Sequence, residues 1–359
     1  MRSQTARPTF PTTPPWRTAL AVAVLAVALT AAGCAKSATA AGQSSATVSP
    51  GQVKVALVPG GAHPYFQPWK AAAQQAKSDF GLGGITFNET SNWDQTTQNS
   101  VLTSLEAQGY NAFGVFGVSP DNINSTFTKL KHDGFPAASL GSCPAGSTDD
   151  ADFCLATDVQ QAAYKAAKIA IQAMGGSGNL VHLTGDKTDS NTARRMAGVQ
   201  QAVDETHGKV KLIQTITDID TDLQTAQKAV ADLLAAKGSQ INAIVNTADN
   251  PAIASAAAVK QANLPIKVVA IDDDPTVIAD IRDGSVTATI AQNPVGQAYV
   301  GAYALMKLAG GCTMKTPGPT IDSGSFEVTK SNVDTYDTQR QAETKQLKTD
   351  FDSKYLSCK

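Results

Sequence analysis

The segment Ile266–Gln297, IKVVAIDDDPTVIADIRDGSVTATIAQNPVGQ, places polar groups at positions where they could meet a ligand. Lys267–Ile271 is apolar on both faces, the pattern of a parallel strand covered by helices. It ends in Asp272, Asp273 and Asp274, and Pro275 suits the first turn of a helix. A second strand is expected over Val286–Ala291, ending at Gln292, with Pro294 opening another helix. A carboxylate and a carboxamide therefore stand at the carboxyl ends of two strands, the rim where open α/β sheets bind ligands. The rest of the chain reads as a scaffold bringing further groups to Asp272 and Gln292.

Catalytic and cofactor chemistry find less support. No GxSxG, HExxH, Walker or well-placed GxGxxG motif occurs, so an enzyme is not expected. The Asp272–Asp274 cluster lacks a partner carboxylate at metal-ligand spacing. His63, His132, His182 and His207 are scattered, and no CxxC is present, so neither metal nor cofactor is expected. The glycines of Gly175–Gly178 precede their strand, which suits a helix C-cap better than a phosphate loop.

The elements that must hold these groups alternate regularly. Strands are expected at Val53–Val58, Ile85–Phe87, Ala112–Val118 and Ala137–Leu140. Helices between them open at Pro64, Asp94 (an N-cap) and Ser119. A loop, Gly141–Asp158, breaks the rhythm. After a long helix, Val159–Met174, the alternation restarts with strands at Leu180–Leu183, Lys211–Ile216, Ala243–Asn246 and Lys267–Ile271. This is two successive α/β halves, each with a parallel sheet and right-handed crossovers. A helix over Gly296–Leu308, a Gly/Pro-rich stretch, a short strand at Ser325–Thr329 and a polar helical tail over Asp337–Tyr355 are surplus to the second half.

Composition bounds the rest. The 359 residues, 42% hydrophobic and 17% charged, suffice for two globular domains. A net charge of −2 gives no reason to expect a nucleic-acid partner. Arg2, Arg7 and Arg17 precede an apolar run, Ala19–Ala32, too short to span a bilayer comfortably. The run ends in Ala31-Ala32-Gly33-Cys34, which resembles a bacterial lipobox and implies a lipid anchor on Cys34. Residues 35–51 read as a flexible Ala/Ser/Thr/Gly tether, with order beginning near Val53. Export favours disulfides among the remaining Cys143, Cys154, Cys312 and Cys358. Three pairings are possible; 143–154 with 312–358 closes the shortest loops, the first about a dozen residues and worth roughly 3 kcal/mol.

Several segments in order resemble the type I periplasmic binding proteins of sugar ABC transporters, the ribose-binding-protein family. They are VALVPGGAHPYFQPWKAAAQQA from Val55, Asp94–Gln98, ARRMAGVQQAV from Ala193, VVAIDDD from Val268, ATIAQNPVGQA from Ala288 and FEVTKSNVD from Phe326. The resemblance runs from Val53 to about Asp334. It implies an α/β fold of two parallel-sheet, Rossmann-like lobes joined by a three-strand hinge and closing on a ligand. The corresponding division is a signal peptide (1–33), a tether (34–51), an N-terminal lobe (52–156 with 293–326), a C-terminal lobe (157–292 with 327–334) and a helical tail (335–359).

The resemblance also implies site residues. Tyr65 and Phe66 fall on the family's first-turn aromatics, whose faces cover a sugar's apolar C–H face. His63 stands where the family often has Asn. Arg195 falls on the binding arginine, Asp272 on the strand-end aspartate that accepts paired hydroxyls, and Gln292 on a hinge glutamine that donates and accepts. Trp93 offers an additional ring face. Two positions depart from the family: Gly141-Ser142 replaces Asp-Arg, and Ala248-Asp249-Asn250 replaces Asn-Asp. Ser142 and Asp249 are still expected in the site. One Arg against one Asp suggests a neutral monosaccharide or sugar alcohol. The implied partner is a membrane ABC permease, served by a monomeric, lipid-anchored protein outside the cytoplasmic membrane. A sensor or chemoreceptor partner, or a non-sugar metabolite, is the alternative.

Overall fold

A computed structural model describes residues 48–146 and 150–358. The proposed signal peptide, Cys34 and most of the tether lie outside the described residues.

The first half alternates as its apolar runs dictate: β1 (Lys54–Val58), α1 (Gln67–Phe80), β2 (Gly84–Phe87), α2 (Gln95–Ala107), β3 (Ala112–Val115), α3 (Ile123–His132), β4 (Ala137–Leu140) and β5 (Phe153–Ala156). In β1, Val55 and Leu57 enter one apolar cluster while Ala56 and Val58 enter another on the opposite face. The period-two alternation thus buries both faces, as a doubly covered sheet requires.

The second half contains α4 (Val159–Ala173), β6 (Gly178–Leu183), α5 (Ser190–Asp204), β7 (Val210–Ile216), α6 (Leu223–Lys237), β8 (Ala243–Asn246), α7 (Asp249–Gln261), β9 (Lys267–Ile271), α8 (Pro275–Asp283) and β10 (Ala288–Gln292). It too is packed on both faces: Val268 and Ala270 of β9 join one cluster, Val269 and Ile271 the other. Helices α4 and α5 lie unusually close, because Gly198 faces Gln160, where a Cβ would come within 2.2 Å of the backbone oxygen. Arg195, three residues earlier on α5, is thereby carried to the cleft.

The closing elements are α9 (Pro294–Ala309), β11 (Thr313–Met314), β12 (Thr320–Asp322), β13 (Ser325–Thr329), α10 (Tyr336–Asp350) and β14 (Leu356–Ser357). One sheet has the order β12-β5-β4-β3-β1-β2 and the other β13-β10-β9-β8-β6-β7. All pairings in them are parallel except β13 against β10. Helix α9 returns to the first sheet, with Ala298, Val300, Ala302 and Leu305 buried beside Leu140 and Leu57.

The chain therefore crosses between sheets three times: after β5, after β10 and between β12 and β13. Ser323 ties the crossings together. Its amide donates to Ala156 O at 2.9 Å, its carbonyl accepts from Asn293 Nδ2 at 3.0 Å, and its Oγ accepts from Gln297 Nε2 at 3.0 Å. The lobe boundary expected after residue 326 lies earlier, because Ser325 already pairs with Gln292 in the second sheet.

Other expectations are revised. Residues before Val53 are already packed: Val48 lies against the first lobe's core, and Pro50 O accepts from Gly83 N at 3.2 Å. Two short strands occur where loops were expected. Phe153–Ala156 is fully buried, and Thr320–Asp322 pairs with it. A third, two-stranded sheet joins β11 to β14. Disulfides Cys143–Cys154 and Cys312–Cys358 are formed. Among the described residues no helix is long and apolar enough to cross a membrane.

Candidate functional site

A cavity of about 220 Å³ lies between the lobes at the carboxyl ends of the strands. Its first-lobe wall starts at the turn after β1. His63 caps the short helical turn Pro64–Phe66, its Nδ1 accepting from Tyr65 N at 3.2 Å. Phe66 is buried, edge-on to Trp69 and Phe116 with ring centroids 5.1 Å away in each case. Tyr65 donates its hydroxyl to Gln297 Oε1 at 2.8 Å, which links this wall to the crossing at Ser323. Burial raises the Tyr65 phenol's pKa well above its ordinary value, so it stays a neutral donor.

Trp93 completes the apolar wall. Its indole covers Gly60 and Gly61, where added Cβ atoms would lie 2.7 and 2.6 Å from the ring. Those two glycines therefore do more than turn the chain; they leave room for the ring. Trp93 meets His63, Phe66 and Phe116 at centroid distances of 6.0 to 6.2 Å.

The second-lobe wall is polar. Asp272 follows β9 in the left-handed region (φ 77°), which turns its carboxylate toward the cavity. Thr289 Oγ1 donates to its carbonyl, and Gln292 Nε2 donates to its Oδ1 at 2.6 Å. Burial pushes the Asp272 carboxyl up to about 6, against the opposing influence of Arg195 and the Gln292 bond. Arg195 also lines the cavity, and its Nε is buried without a hydrogen-bond partner. Its neighbour Arg194 turns away and pairs with Asp158 at 3.0 Å.

Of the expected site residues, His63, Tyr65, Phe66, Trp93, Arg195, Asp272 and Gln292 line the cavity. Ser142 and Asp249 do not. Ser142 Oγ stands 3.4 Å from Asp189 Oδ1 and from Ser190 Oγ, in the contact between lobes. Asp249 is 2% exposed behind the lining, with Oδ2 3.8 Å from His63 Nδ1, and burial pushes its carboxyl well up.

Asp220 is an unexpected participant. It lies in the loop after β7, and its Oδ2 is 3.1 Å from His63 Nε2 across the cleft. Its other oxygen accepts from Asn250 N at 3.0 Å. Burial alone would lower the His63 pKa, but the charge and hydrogen bond of Asp220 outweigh it, so the net shift is upward. Asn191 Nδ2 adds another bond between lobes, to Gly141 O at 3.1 Å. The acidic stretch Asp218-Ile219-Asp220 soon after a strand was the available signal for Asp220, but no family motif marked it.

Asp186 and Asp189 also line the cavity, so the expected one-to-one balance of Arg and Asp does not hold. Both are engaged locally: Asp186 accepts from Thr188 N at 2.7 Å, and Asp189 caps α5 through Asn191 N at 3.0 Å. Among the described residues no group of three His, Cys, Asp or Glu is placed to hold a metal ion.

The profile described as periplasmic binding protein domain matches residues 55–312, most of the chain. The chain belongs to that family. Among curated relatives of this periplasmic binding protein, the xylitol-binding protein of Mycolicibacterium smegmatis is 24% identical over 251 residues, 70% of each chain. The ribose import binding protein of Haemophilus influenzae is 22% identical over 232 residues, covering 65% of this chain and 77% of its own. In structure, an ABC-transporter solute-binding protein from Burkholderia graminis, solved with D-arabinose, superposes with a TM-score of 0.72. It is 21% identical, and the match covers 79% of this chain and 97% of that one. The fold described above is shared with that solved protein.

Proposed function

We propose that this chain is the substrate-binding component of an ABC importer, taking a neutral monosaccharide or sugar alcohol between its lobes and presenting it to a membrane permease. The observation that carries the reading is the cavity's division into two kinds of wall. Tyr65, Phe66 and Trp93 offer aromatic surface, and Arg195, Asp272 and Gln292 face it with donors and acceptors. A sugar ring has the matching division, apolar C–H faces and a polar edge. The volume of about 220 Å³ equals roughly seven water molecules at about 30 Å³ each, room for one small ring. The xylitol, ribose and arabinose named for the relatives belong to the same chemical class.

Arg195 supplies a planar fork for two neighbouring hydroxyl oxygens, and ionised Asp272 accepts from a hydroxyl pair. Gln292 holds one Asp272 oxygen, leaving the other for ligand. His63 and Asp220, one from each lobe, bridge the cleft beside it. We further propose that the chain is monomeric and anchored outside the cytoplasmic membrane through lipid on Cys34. Metabolic labelling with palmitate tests the anchor: label should appear on the parent and be lost in Cys34→Ala.

The ligand reading is tested by thermal shift across pentoses, hexoses, polyols and non-sugar metabolites. A ligand at 100 times its Kd should add about 2.7 kcal/mol of stability. A shift confined to a non-carbohydrate, such as an amino acid, would overturn the reading.

A further inference from the structure

Helix α10 is almost wholly polar in sequence, yet it touches both lobes and two of the three crossings. Near its start, buried Arg340 pairs with the Asp273 carboxylate of the second lobe. The same carboxylate accepts from Tyr336 Oη at 3.1 Å, and the guanidinium lies 5.2 Å from the Tyr336 ring centroid. One turn on, Thr344 Oγ1 donates to Asn293 Oδ1 at 3.1 Å, at the crossing after β10. Glu343 lies against Gly324, at the crossing before β13, where an added Cβ would be 2.8 Å from its Oε2. Beyond these, Leu347, Phe351 and Leu356 are buried in the first lobe's core. Strand β14 then pairs with β11, and Cys358 is bonded to Cys312.

The helix is therefore fastened at one end to the first lobe by core burial, strand pairing and a disulfide. At its other end it grips the second lobe at Asp273, the residue next to Asp272. Asp272 holds a left-handed backbone, a conformation that surrounding contacts must maintain in a non-glycine residue. Its carbonyl and amide are held by Thr289 and Ile290 of β10, and its neighbour's side chain by Arg340 and Tyr336.

We propose that α10 is a strap across the hinge, and that Arg340 is a positioning residue that couples lobe closure to the backbone of Asp272. Opening the lobes draws Asp273 away from a helix anchored in the first lobe. Either α10 moves on its anchor or Arg340 and Asp273 separate, leaving a buried charge without its partner. The strap thus favours the closed arrangement and fixes the ligand-site carboxylate in one step. This inference rests on the reading that the lobes open and close around a ligand, and it holds for any ligand the cavity takes.

The test uses the full chain without ligand. Small-angle scattering reports lobe separation, and hydrogen exchange reports protection of residues 270–275. Arg340→Met should raise the ratio of open to closed forms about tenfold, within the usual range of coupling between distant sites. It should also speed exchange at Asp272 and Asp273. Arg340→Lys, which keeps the charge, should recover part of both effects. Tyr336→Phe and Thr344→Val each remove one contact and should shift scattering in the same direction by less, which keeps the test decisive should Arg340→Met fold poorly. A folded Arg340→Met chain with parental scattering and parental exchange would overturn the strap, as would parental behaviour in both milder variants. Absence of compaction in the parent chain with every sugar and polyol of the thermal-shift panel would instead overturn the ligand reading.

Discussion

Gln292 Nε2 donates to Asp272 Oδ1 at 2.6 Å, joining the end of β10 to the end of β9 inside the cavity. In the proposed site the bond aims one carboxylate oxygen and leaves the other for ligand. Asp272→Ala should abolish the ligand-induced thermal shift. Gln292→Ala, which leaves the carboxylate in place but unaimed, should weaken binding about tenfold to a hundredfold, the range for a hydrogen bond to a charged group. Titration calorimetry on both variants checks this; parental affinity in Asp272→Ala would remove Asp272 from the site.

The same carboxyl predicts a pH dependence. Its pKa is raised from 3.8 to about 6 in the folded protein, with burial the largest cause. Ligand hydroxyls need the ionised acceptor, so affinity should fall as pH drops through about 6, by at most about tenfold per pH unit for a single proton. Folding runs the other way. A raised carboxyl pKa contributes stability that is complete below 3.8 and lost as pH rises through about 6. Calorimetry between pH 5 and 7.5 on parent and Asp272→Asn separates this proton from that of His63, whose pKa is raised above 6.5. An unchanged profile in Asp272→Asn would assign the dependence elsewhere.

Arg195 has donors waiting in the cavity and a buried Nε without a partner. Arg195→Lys retains the charge but loses the planar fork, so it should bind at least about tenfold more weakly while melting close to the parent. Retention of full affinity by the lysine variant would show that charge alone is used.

Gly61→Ala puts a Cβ 2.6 Å from the Trp93 ring, which must then leave the cavity wall. Because Trp93 is 42% exposed, it can move outward, and the stability loss should stay near 1 kcal/mol. Affinity should fall together with that of Trp93→Ala, and the double variant should be no worse than either single one. Tryptophan fluorescence and calorimetry measure the two effects.

The Cys143–Cys154 bond links the Gly141–Ser142 rim to buried β5. Replacing both cysteines with serine should cost about 3 kcal/mol by denaturant unfolding. It should also weaken binding, since Asn191 reaches across the cleft to Gly141 O. Stability equal to the parent would mean that the rim is held without the bond.

Local pattern was enough for much of this protein. Doubly apolar runs such as Lys267–Ile271 have to be buried on both faces, which marks parallel strands wherever they lie in the chain. Asp94 and the proline at Pro275 marked helix starts by local hydrogen-bonding chemistry. Asp272 and Gln292 were visible because each follows such a run, so strand direction alone places them at one rim. Two strands were not legible: Phe153–Ala156 follows a loop of Cys, Gly and Asp, Thr320–Asp322 lies in a Gly/Pro-rich stretch, and both take their places by pairing, the first against Ala137–Leu140 and the second against the first.

What only the tertiary structure decided concerns contacts between residues far apart in sequence. His63 and Asp220 lie 157 positions apart and meet only because the lobes face each other. Ser142 and Asp249 sit near the cavity in sequence terms, yet their side chains turn into the lobe contact and the space behind the wall. Arg340 and Asp273 belong to a polar tail and an acidic turn, and nothing local to either predicts the other. Side-chain direction and lobe orientation depend on the sum of packing over the whole chain, and a linear pattern carries neither.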